Sequence, residues 1–178
     1  NFFIRMLRRS GLKGLVSLDK KNKIGKKTLL RPLLDQKKKD LEFVSKKVFN
    51  FYVQDPTNED EKYQRVIIRK LIEELQKKGL DKKKFFKTIQ NLKSSNNVVN
   101  FYVKENLIKN TFFSIESDKL ILNKYFFQQP YEVIFRSLSN SIELIGRKYY
   151  SVRGKKLDAI IGDIKNKALF KSTLGGCI

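Results

Sequence analysis

The chain has 178 residues, 40% of them hydrophobic, enough for one domain or two small ones. A formal charge of +21, from 39 basic and 18 acidic residues, favours a polyanionic partner. The single cysteine, Cys177, excludes an intrachain disulfide and suits a reducing compartment, and without histidine a metal site is not credible. No apolar run approaches the roughly 20 residues that span a bilayer. We therefore expect a cytoplasmic protein with no membrane partner.

The charge has a second interpretation. Lysine outnumbers arginine 30 to 9, and asparagine, isoleucine and phenylalanine are plentiful, as in proteins from A/T-rich genomes. Part of the +21 charge is then codon bias, which would also enlarge the basic surface of an ordinary enzyme. Charge alone leaves both interpretations open.

The first part of the chain, residues 1–79, is typical of the end of an open α/β domain. Residues 2–9 predict a helix end, 28–34 a buried strand, 37–49 a helix and 51–53 a second short strand. Strand, helix, strand and helix in this order predict the carboxyl-terminal part of such a domain.

The next predicted helix runs from about residue 59 to residue 78. Asn58 can cap it, with Glu61 three residues later as in a capping box, and Gly79 ends it. Helical spacing predicts a buried face formed by Ile68, Leu71, Ile72 and Leu75.

The remaining residues, 80–178, predict a mostly α-helical domain with one small β-hairpin. Asp81 caps a long helix, and two β-prone runs between residues 111 and 122 flank a polar turn. A helix opens after Pro130, another follows near Leu157, and residues 169–178 predict the start of a strand.

Four short strings in the first 70 residues carry a resemblance to a known family. They are Arg8-Arg9-Ser10-Gly11, Arg31-Pro32-Leu33-Leu34, Asp55-Pro56-Thr57-Asn58 and Arg65-Val66-Ile67-Ile68-Arg69. Their order and spacing resemble the tRNA(Ile)-lysidine synthases, which use ATP to join lysine to the wobble cytidine of tRNA(Ile). The resemblance implies a PP-loop ATPase-like catalytic domain, continuing into residues 1–79, and a tRNA-contacting domain in residues 80–178.

The resemblance also implies that the chain is a fragment. The family's ATP loop, a Ser-Gly-Gly-x-Asp-Ser string, does not occur in the sequence and is expected upstream of Asn1. ATP and magnesium (Mg) are then expected to bind mainly through residues outside the chain. The isolated fragment is expected to be inactive.

Arg65 and Arg69 match the family's Arg-Asn-x-Ile-Arg string, with Val66 in place of the asparagine. Their spacing puts both on one side of a helix. The family reaction builds negative charge on phosphate, which a planar guanidinium can hold bidentately. The resemblance therefore makes both arginines candidate catalytic residues. The alternative is two solvated arginines paired with Glu61, Glu73 or Glu74.

Two further arginines are candidate tRNA contacts through the resemblance. Arg8 either contacts a phosphate or is a solvated residue at a helix end, and Arg9 replaces the family's usual glycine. Arg31 either contacts tRNA or ties the strand end to a carboxylate such as Asp35.

Asp55 and Asn58 match the family's Asp-Pro-Ser/Thr-Asn stretch. Its plain physical role is a turn and a helix cap. That role is compatible with a place beside the active site.

The stretch from Gly146 to Lys156, here called the basic segment, interleaves cations with aromatic residues. Such a pattern offers phosphate contacts and stacking for exposed bases. The candidate tRNA-binding residues are Arg147, Lys148, Tyr149, Arg153, Lys155 and Lys156. The alternative is a charged loop with its tyrosines packed beneath it.

These observations support an ATP-dependent ligase that forms lysidine in tRNA(Ile). The alternative is a non-enzymatic basic RNA-binding protein of ribosome-associated type. The ligase requires the first 60 residues to form an incomplete open sheet with an uncovered edge, whereas the alternative requires a closed domain.

Overall fold

The computed structural model describes residues 2–16, 18–24, 27–53, 55–116, 119–147, 152–168 and 171–178. Over these residues the chain is mostly helical, with two antiparallel two-stranded sheets. It divides into two compact units, Asn1–Lys93 and Ser94–Ile178, and the division falls inside one long helix. The functional boundary predicted after residue 79 stays a prediction.

The first unit is built from short helices and one hairpin. Its elements are α1 (Phe2–Leu7), α2 (Leu12–Leu15), β1 (Lys21–Ile24), β2 (Lys27–Leu30), α3 (Lys38–Phe49) and α4 (Gln64–Lys77). Single turns of 3-10 helix lie at Pro32–Asp35 and Pro56–Asn58. The long helix α5 runs from Lys82 to Asn110.

The second unit contains the end of α5 and the remaining elements. These are β3 (Thr111–Ser114), β4 (Lys119–Leu122), a 3-10 helix at Lys124–Gln128, α6 (Tyr131–Ile145) and α7 (Gly154–Lys165). The predicted hairpin is confirmed as β3 paired with β4, and Asp81 Oδ1 accepts hydrogen bonds from the Lys83 and Lys84 amides. In place of a strand near the end of the chain, Leu174 and Cys177 form an isolated bridge.

The strand predicted at residues 28–34 is only partly correct. β2 ends at Leu30, and all four of its residues are exposed rather than buried. It pairs antiparallel with β1, in a register that joins Lys21 to Leu30 and Ile24 to Lys27. The described residues therefore contain a local hairpin where the sequence predicted an open sheet.

Two further predictions in this region are wrong. Residues 51–53 form no strand, and α4 begins at Gln64 rather than near residue 59. The cause lies in side-chain oxygens that bond nearby backbone amides, which stabilises turns at the expense of a helix. Asp55 Oδ1 accepts from the Thr57 amide at 2.9 Å, and Asp60 Oδ1 accepts from the Lys62 amide at 2.9 Å.

The ends of α1 and α4 share one hydrogen-bond pattern. After α4 the Leu80 amide donates to the Leu75 carbonyl at 2.8 Å, and Gly79 takes a φ of 104°, as predicted for a glycine stop. After α1 the Ser10 amide donates to the Arg5 carbonyl at 2.9 Å, and the left-handed residue is Arg9, with φ of 55°. The left-handed residue after α1 is therefore an arginine, whereas the one after α4 is a glycine.

The hydrophobic core of the second unit lies among α6, α7 and the 3-10 helix. Five residues form its buried cluster: Phe126, Ile134, Leu138, Leu157 and Ile161. In the first unit the buried apolar side chains of the described part are Val16, Val66 and Ile68. None of the helices in the described ranges combines the length and apolar character needed to cross a bilayer.

Candidate functional site

A cavity of about 430 Å³ lies between α1 and the beginning of α4. Its lining comprises Ile4, Arg5, Arg8, Tyr63, Gln64 and Arg65. Three guanidinium groups thus border one opening, and no carboxylate is among the lining residues. An opening with this lining is suited to an anion such as a phosphate group.

Two hydrogen bonds fix the α1 side of the cavity. Arg8 Nη2 donates to Gln64 Oε1 at 3.3 Å, which links α1 to the first residue of α4. Arg5 Nη1 donates to the Gly14 carbonyl at 2.6 Å, which links α1 to α2. The left-handed turn at Arg9 then redirects the chain away from the helix axis.

The α4 side of the cavity is held by two buried neighbours of the arginines. Val66 is 5% exposed and Ile68 is 4% exposed, so this part of α4 is anchored. Val66, which occupies the family's asparagine position, is therefore an apolar packing residue here. Arg65 lines the cavity, and Arg69 lies one helical turn further along α4, outside the lining.

The predicted buried face of α4 is confirmed only at Ile68. Leu71 is exposed, and Ile72 and Leu75 are half-buried. Val66 is also buried, although the helical spacing did not predict it. Spacing finds an apolar stripe, but which part of the stripe is covered depends on the neighbouring elements.

Glu61, four residues before Arg65, is paired with another cation. Glu61 forms an ion pair with Lys70, and that hydrogen bond lowers the pKa of Glu61 and raises the pKa of Lys70. Within the described part of the chain, neither Arg65 nor Arg69 has an ion-pair or hydrogen-bond partner. The alternative in which Glu61 neutralises them is therefore wrong for this structure.

The Asp55–Asn58 stretch adopts the turn expected from its residues. Asp55 Oδ1 accepts from the Thr57 hydroxyl at 2.7 Å as well as from the Thr57 amide, and these hydrogen bonds lower the pKa of Asp55. Asn58 ends the 3-10 turn but does not cap α4, whose cap position is Tyr63. A place for this stretch beside the active site stays a prediction.

Arg31 lies at the end of the first hairpin rather than in the cavity. Its Nη1 donates to the Asp19 carbonyl at 3.0 Å, while Asp35 pairs with Lys20. The expected tie to Asp35 is therefore wrong, although Arg31 does hold the hairpin together. Its role in tRNA binding stays a prediction.

The basic segment belongs to the second unit. Arg147, with φ of 49°, and Arg153, at the cap of α7, are both exposed, as are Lys155 and Lys156. Lys148 and Tyr149 lie outside the described residues. The cations that are described in this segment are therefore accessible to a large anion.

Four residues of the cavity were not predicted from the sequence: Ile4, Arg5, Tyr63 and Gln64. One signal was present for Arg5, since it precedes Arg8 by three residues and shares its helix face. No local signal was available for Tyr63 and Gln64, because the cavity joins segments separated by more than 50 positions in the sequence.

The site does not fit a resident magnesium ion. Among the described residues there is no group of three or more histidine, cysteine, aspartate or glutamate side chains placed to hold a metal. Magnesium prefers carboxylate oxygens and water, whereas this cavity is lined by guanidinium groups. No step is therefore assigned to a metal held by these residues.

Comparison with known proteins first identifies the class of domain. Residues 1–75 match the family model of the PP-loop domain. The cavity, with Arg5, Arg8 and Arg65, lies wholly within this match.

Relatives with similarity to this chain carry one name, tRNA(Ile)-lysidine synthase. A tRNA(Ile)-lysidine synthase of Wolbachia pipientis wMel is 29% identical over 179 residues, which is 99% of this chain and 41% of the relative. A second, from Wolbachia sp. subsp. Brugia malayi, is 30% identical over 187 residues, with the same shares covered. A third, from Francisella philomiragia, is 40% identical over 72 residues, or 40% of this chain and 18% of the relative. No solved structure matches the chain.

These comparisons confirm the resemblance to the tRNA(Ile)-lysidine synthases and correct one expectation. The chain spans about two fifths of the length of the two Wolbachia relatives. The PP-loop domain, whose ATP loop was expected upstream of Asn1, is matched within the chain, over residues 1–75. The expectation that ATP binds outside the chain is therefore not supported.

Proposed function

We propose that this chain is part of an ATP-dependent ligase that joins lysine to the wobble cytidine of tRNA(Ile). One observation carries the proposal. Arg8 directly follows α1 and Arg65 lies in α4, and the two match separate family strings, yet they border one cavity inside the part that matches the PP-loop domain. The name of the relatives supplies the substrates, tRNA(Ile) and lysine.

The reaction has two steps. The C2 oxygen of cytidine attacks the α-phosphorus of ATP, which forms an adenylated base and releases pyrophosphate. The amine of lysine then attacks C2, and AMP leaves with that oxygen while the amine loses a proton. In both steps charge develops on phosphate oxygens, which fixed cationic donors stabilise more strongly in the transition state than in the ground state.

The cavity arginines are suited to this task. Arg8 is held by Gln64, so its orientation is set before a ligand arrives. Arg65 has no protein partner among the described residues, and its guanidinium is free to bind a phosphate bidentately. Arg69, one turn further along α4, extends the same cationic side of the helix towards a longer substrate.

The tRNA would be held by cations outside the cavity. We assign this role to Arg31 and to the basic segment, where Arg147, Arg153, Lys155 and Lys156 are accessible. The same segment would serve the alternative, a ribosome-associated RNA-binding protein. That alternative required a closed domain in the first 60 residues, but α1 and α3 contain no buried residue. The ligase's own requirement, an incomplete open sheet, is not met there either, since the described part has a two-stranded hairpin. The names of the relatives, and not this criterion, therefore favour the ligase.

The test is transfer of labelled lysine to tRNA(Ile) by the full-length protein, with ATP and magnesium supplied. We expect label on the tRNA only when ATP is present, and none on a tRNA(Ile) transcript with uridine at the wobble position. Release of AMP and pyrophosphate should match the lysine incorporated.

The control is a variant that keeps the fold and removes the proposed phosphate contact, Arg65→Ala. It should still bind tRNA but transfer lysine far more slowly. Tight tRNA binding by the folded wild-type protein without any ATP-dependent transfer would overturn the proposal and favour the RNA-binding alternative.

A further inference from the structure

A tight turn near the end of the chain lies against the basic segment. The Leu174 amide donates to the Cys177 carbonyl at 3.0 Å, and the Cys177 amide donates back to the Leu174 carbonyl at 3.0 Å. Between them Gly175 has a φ of 65° and Gly176 a φ of 90°. Two successive left-handed residues favour glycine strongly, because a side chain at either position would be strained.

Gly175 contacts the chain on both sides of residues 147–151. A methyl group added at Gly146 would overlap the carbonyl oxygen of Gly175 and lie 2.9 Å from that of Ile142. A methyl group added at Gly175 would lie 2.6 Å from Ile142 Cγ2 and 2.9 Å from Val152 Cγ1. The turn therefore packs at backbone distance against the end of α6 and against the residue that precedes Arg153.

The turn is also attached to the core of the second unit. Ile142, Val152 and Leu174 all pack against the buried cluster that contains Leu138 and Leu157. The contacts of Gly175 therefore join the basic segment to the best-packed part of this unit. Interiors at this packing density do not yield to small displacements.

We propose that the Leu174–Cys177 turn positions Arg147 and Arg153 for the RNA backbone, and that Gly146 and Gly175 are positioning residues for these two arginines. The inference rests on the proposed function, because it takes the segment to contact tRNA. Arg147 follows Gly146 directly, and Arg153 follows Val152 directly. Each arginine therefore adjoins a residue that the turn holds in place. Fixed cations bind a regularly spaced polyanion better than mobile ones, because less side-chain and loop entropy is lost on binding.

The experiment compares glycine variants that leave the net charge unchanged. We would measure tRNA affinity over a series of salt concentrations for Gly146→Ala and Gly175→Ala. Each lost phosphate contact lowers the slope of log affinity against log salt by about 0.9. We expect each variant to lose about one to two phosphate contacts, and the slope to fall accordingly.

The matched control is Gly162→Ala, since Gly162 lies in α7 with open space around its Cα. It should keep the wild-type slope. Circular dichroism and thermal unfolding would show that each variant is folded. If Gly175→Ala does not fold, Leu174→Ala takes its place, because it weakens the packing of the turn without adding an atom.

Two arginine variants separate failure of this inference from failure of the proposed function. If Arg147→Ala and Arg153→Ala leave affinity and slope unchanged, the segment does not contact tRNA and its proposed role is wrong. If they lower the slope while folded glycine variants behave as wild type, only the positioning inference is overturned. If the inference is correct, Arg147→Ala has less effect in the Gly175→Ala background than in the wild type, since the contact is already impaired.

Discussion

The two compact units differ most in how much apolar surface each one buries. In the second unit Phe126, Ile134 and Leu157 are 0% exposed, and eight further apolar residues pack against the cluster. In the first unit the described part buries Val16, Val66 and Ile68, and α3 buries nothing. The cavity arginines thus lie in the unit that buries few apolar side chains. The basic segment lies in the unit with the larger buried cluster.

Part of the first unit has an unusually apolar surface. Large side chains between residues 29 and 53 are exposed: Leu29, Leu30, Leu33, Leu34, Leu41, Phe43, Val44, Val48, Phe49, Phe51 and Val53. Where exposed apolar side chains form contiguous patches, such patches are typical of interaction surfaces. Stability in this unit therefore depends less on its own core than stability in the second unit does.

The largest expected effect tests this difference in stability. Phe126→Ala removes a fully buried ring and should lower the free energy of unfolding by about 3–5 kcal/mol. Ile68→Ala, in the first unit, should cost nearer 2 kcal/mol, since fewer buried neighbours surround the vacated volume. Urea unfolding with hydrogen exchange assigns each loss to a unit. Equal losses in both units would contradict the comparison.

The next effect concerns rate rather than stability. Arg65→Lys and Arg69→Lys keep the charge but lose the planar fork. If the arginines stabilise the adenylation transition state, the rate should fall by roughly 10²–10³ with tRNA affinity little changed. Single-turnover adenylation by the full-length protein at saturating tRNA measures this.

Two other outcomes would assign these arginines differently. If they contact only the tRNA backbone, lysine should serve nearly as well and Arg65→Ala should weaken binding instead. If they are plain surface residues, every variant should be nearly silent. Near-normal turnover in both lysine variants would show that neither Arg65 nor Arg69 is catalytic. Arg8 would then be the next candidate.

Replacing a buried arginine in the second unit should lower stability, whereas replacing an exposed arginine of α4 should not. Arg136 is 5% exposed, and its Nη1 donates to Asn96 Oδ1 at 2.7 Å and Asn100 Oδ1 at 3.0 Å, while its Nε donates to Glu132. Arg136→Met leaves the two amide oxygens without this donor, at a cost of about 1–3 kcal/mol. Thermal unfolding should show the loss, whereas Arg69→Met should change stability by no more than about 0.5 kcal/mol.

The sequence correctly predicted those elements that depend on interactions between residues close together in the chain. The Asp81 cap, the Gly79 stop, the helix at 37–49 and the β3–β4 hairpin all follow from residues close to one another. The open sheet, the buried strand at residues 28–34 and most of the buried face of α4 were wrong, because burial depends on which elements pack together. The turns at Asp55 and Asp60 delayed α4 because their carboxylates bond nearby amides.

The candidate site was predictable to a similar extent. Motif order identified Arg8 and Arg65 separately, but it did not show that they share a cavity. Arginine is rare in this lysine-rich chain, but rarity does not separate Arg8 and Arg65 from Arg136, whose guanidinium donates hydrogen bonds to Asn96, Asn100 and Glu132. Arginine is retained here for its planar geometry, and only the surroundings decide whether a ligand or the protein uses it.

The smallest expected effect concerns one phenol that joins α6 to α7. The Tyr131 hydroxyl donates to an Asp158 carboxylate oxygen, and this hydrogen bond, with burial, raises the pKa of Tyr131 from 10.0 to about 12. Since the folded-state pKa is raised, the contribution to stability is complete below the ordinary value. It is lost as the pH rises from about 10 to about 12. Tyr131 is 48% exposed, so solvent screening keeps the effect small.

Phenolate absorbance during an alkaline titration measures this pKa directly. One tyrosine should ionise late in the wild-type protein, and that late step should vanish in Tyr131→Phe. Asp158→Asn removes the negative charge while keeping an acceptor, so it should move the late step back towards the ordinary value. An unchanged late step in Asp158→Asn would show that burial, rather than the carboxylate, holds the proton. The stability of the contact between α6 and α7 would then depend little on this pair and more on the buried cluster of the second unit.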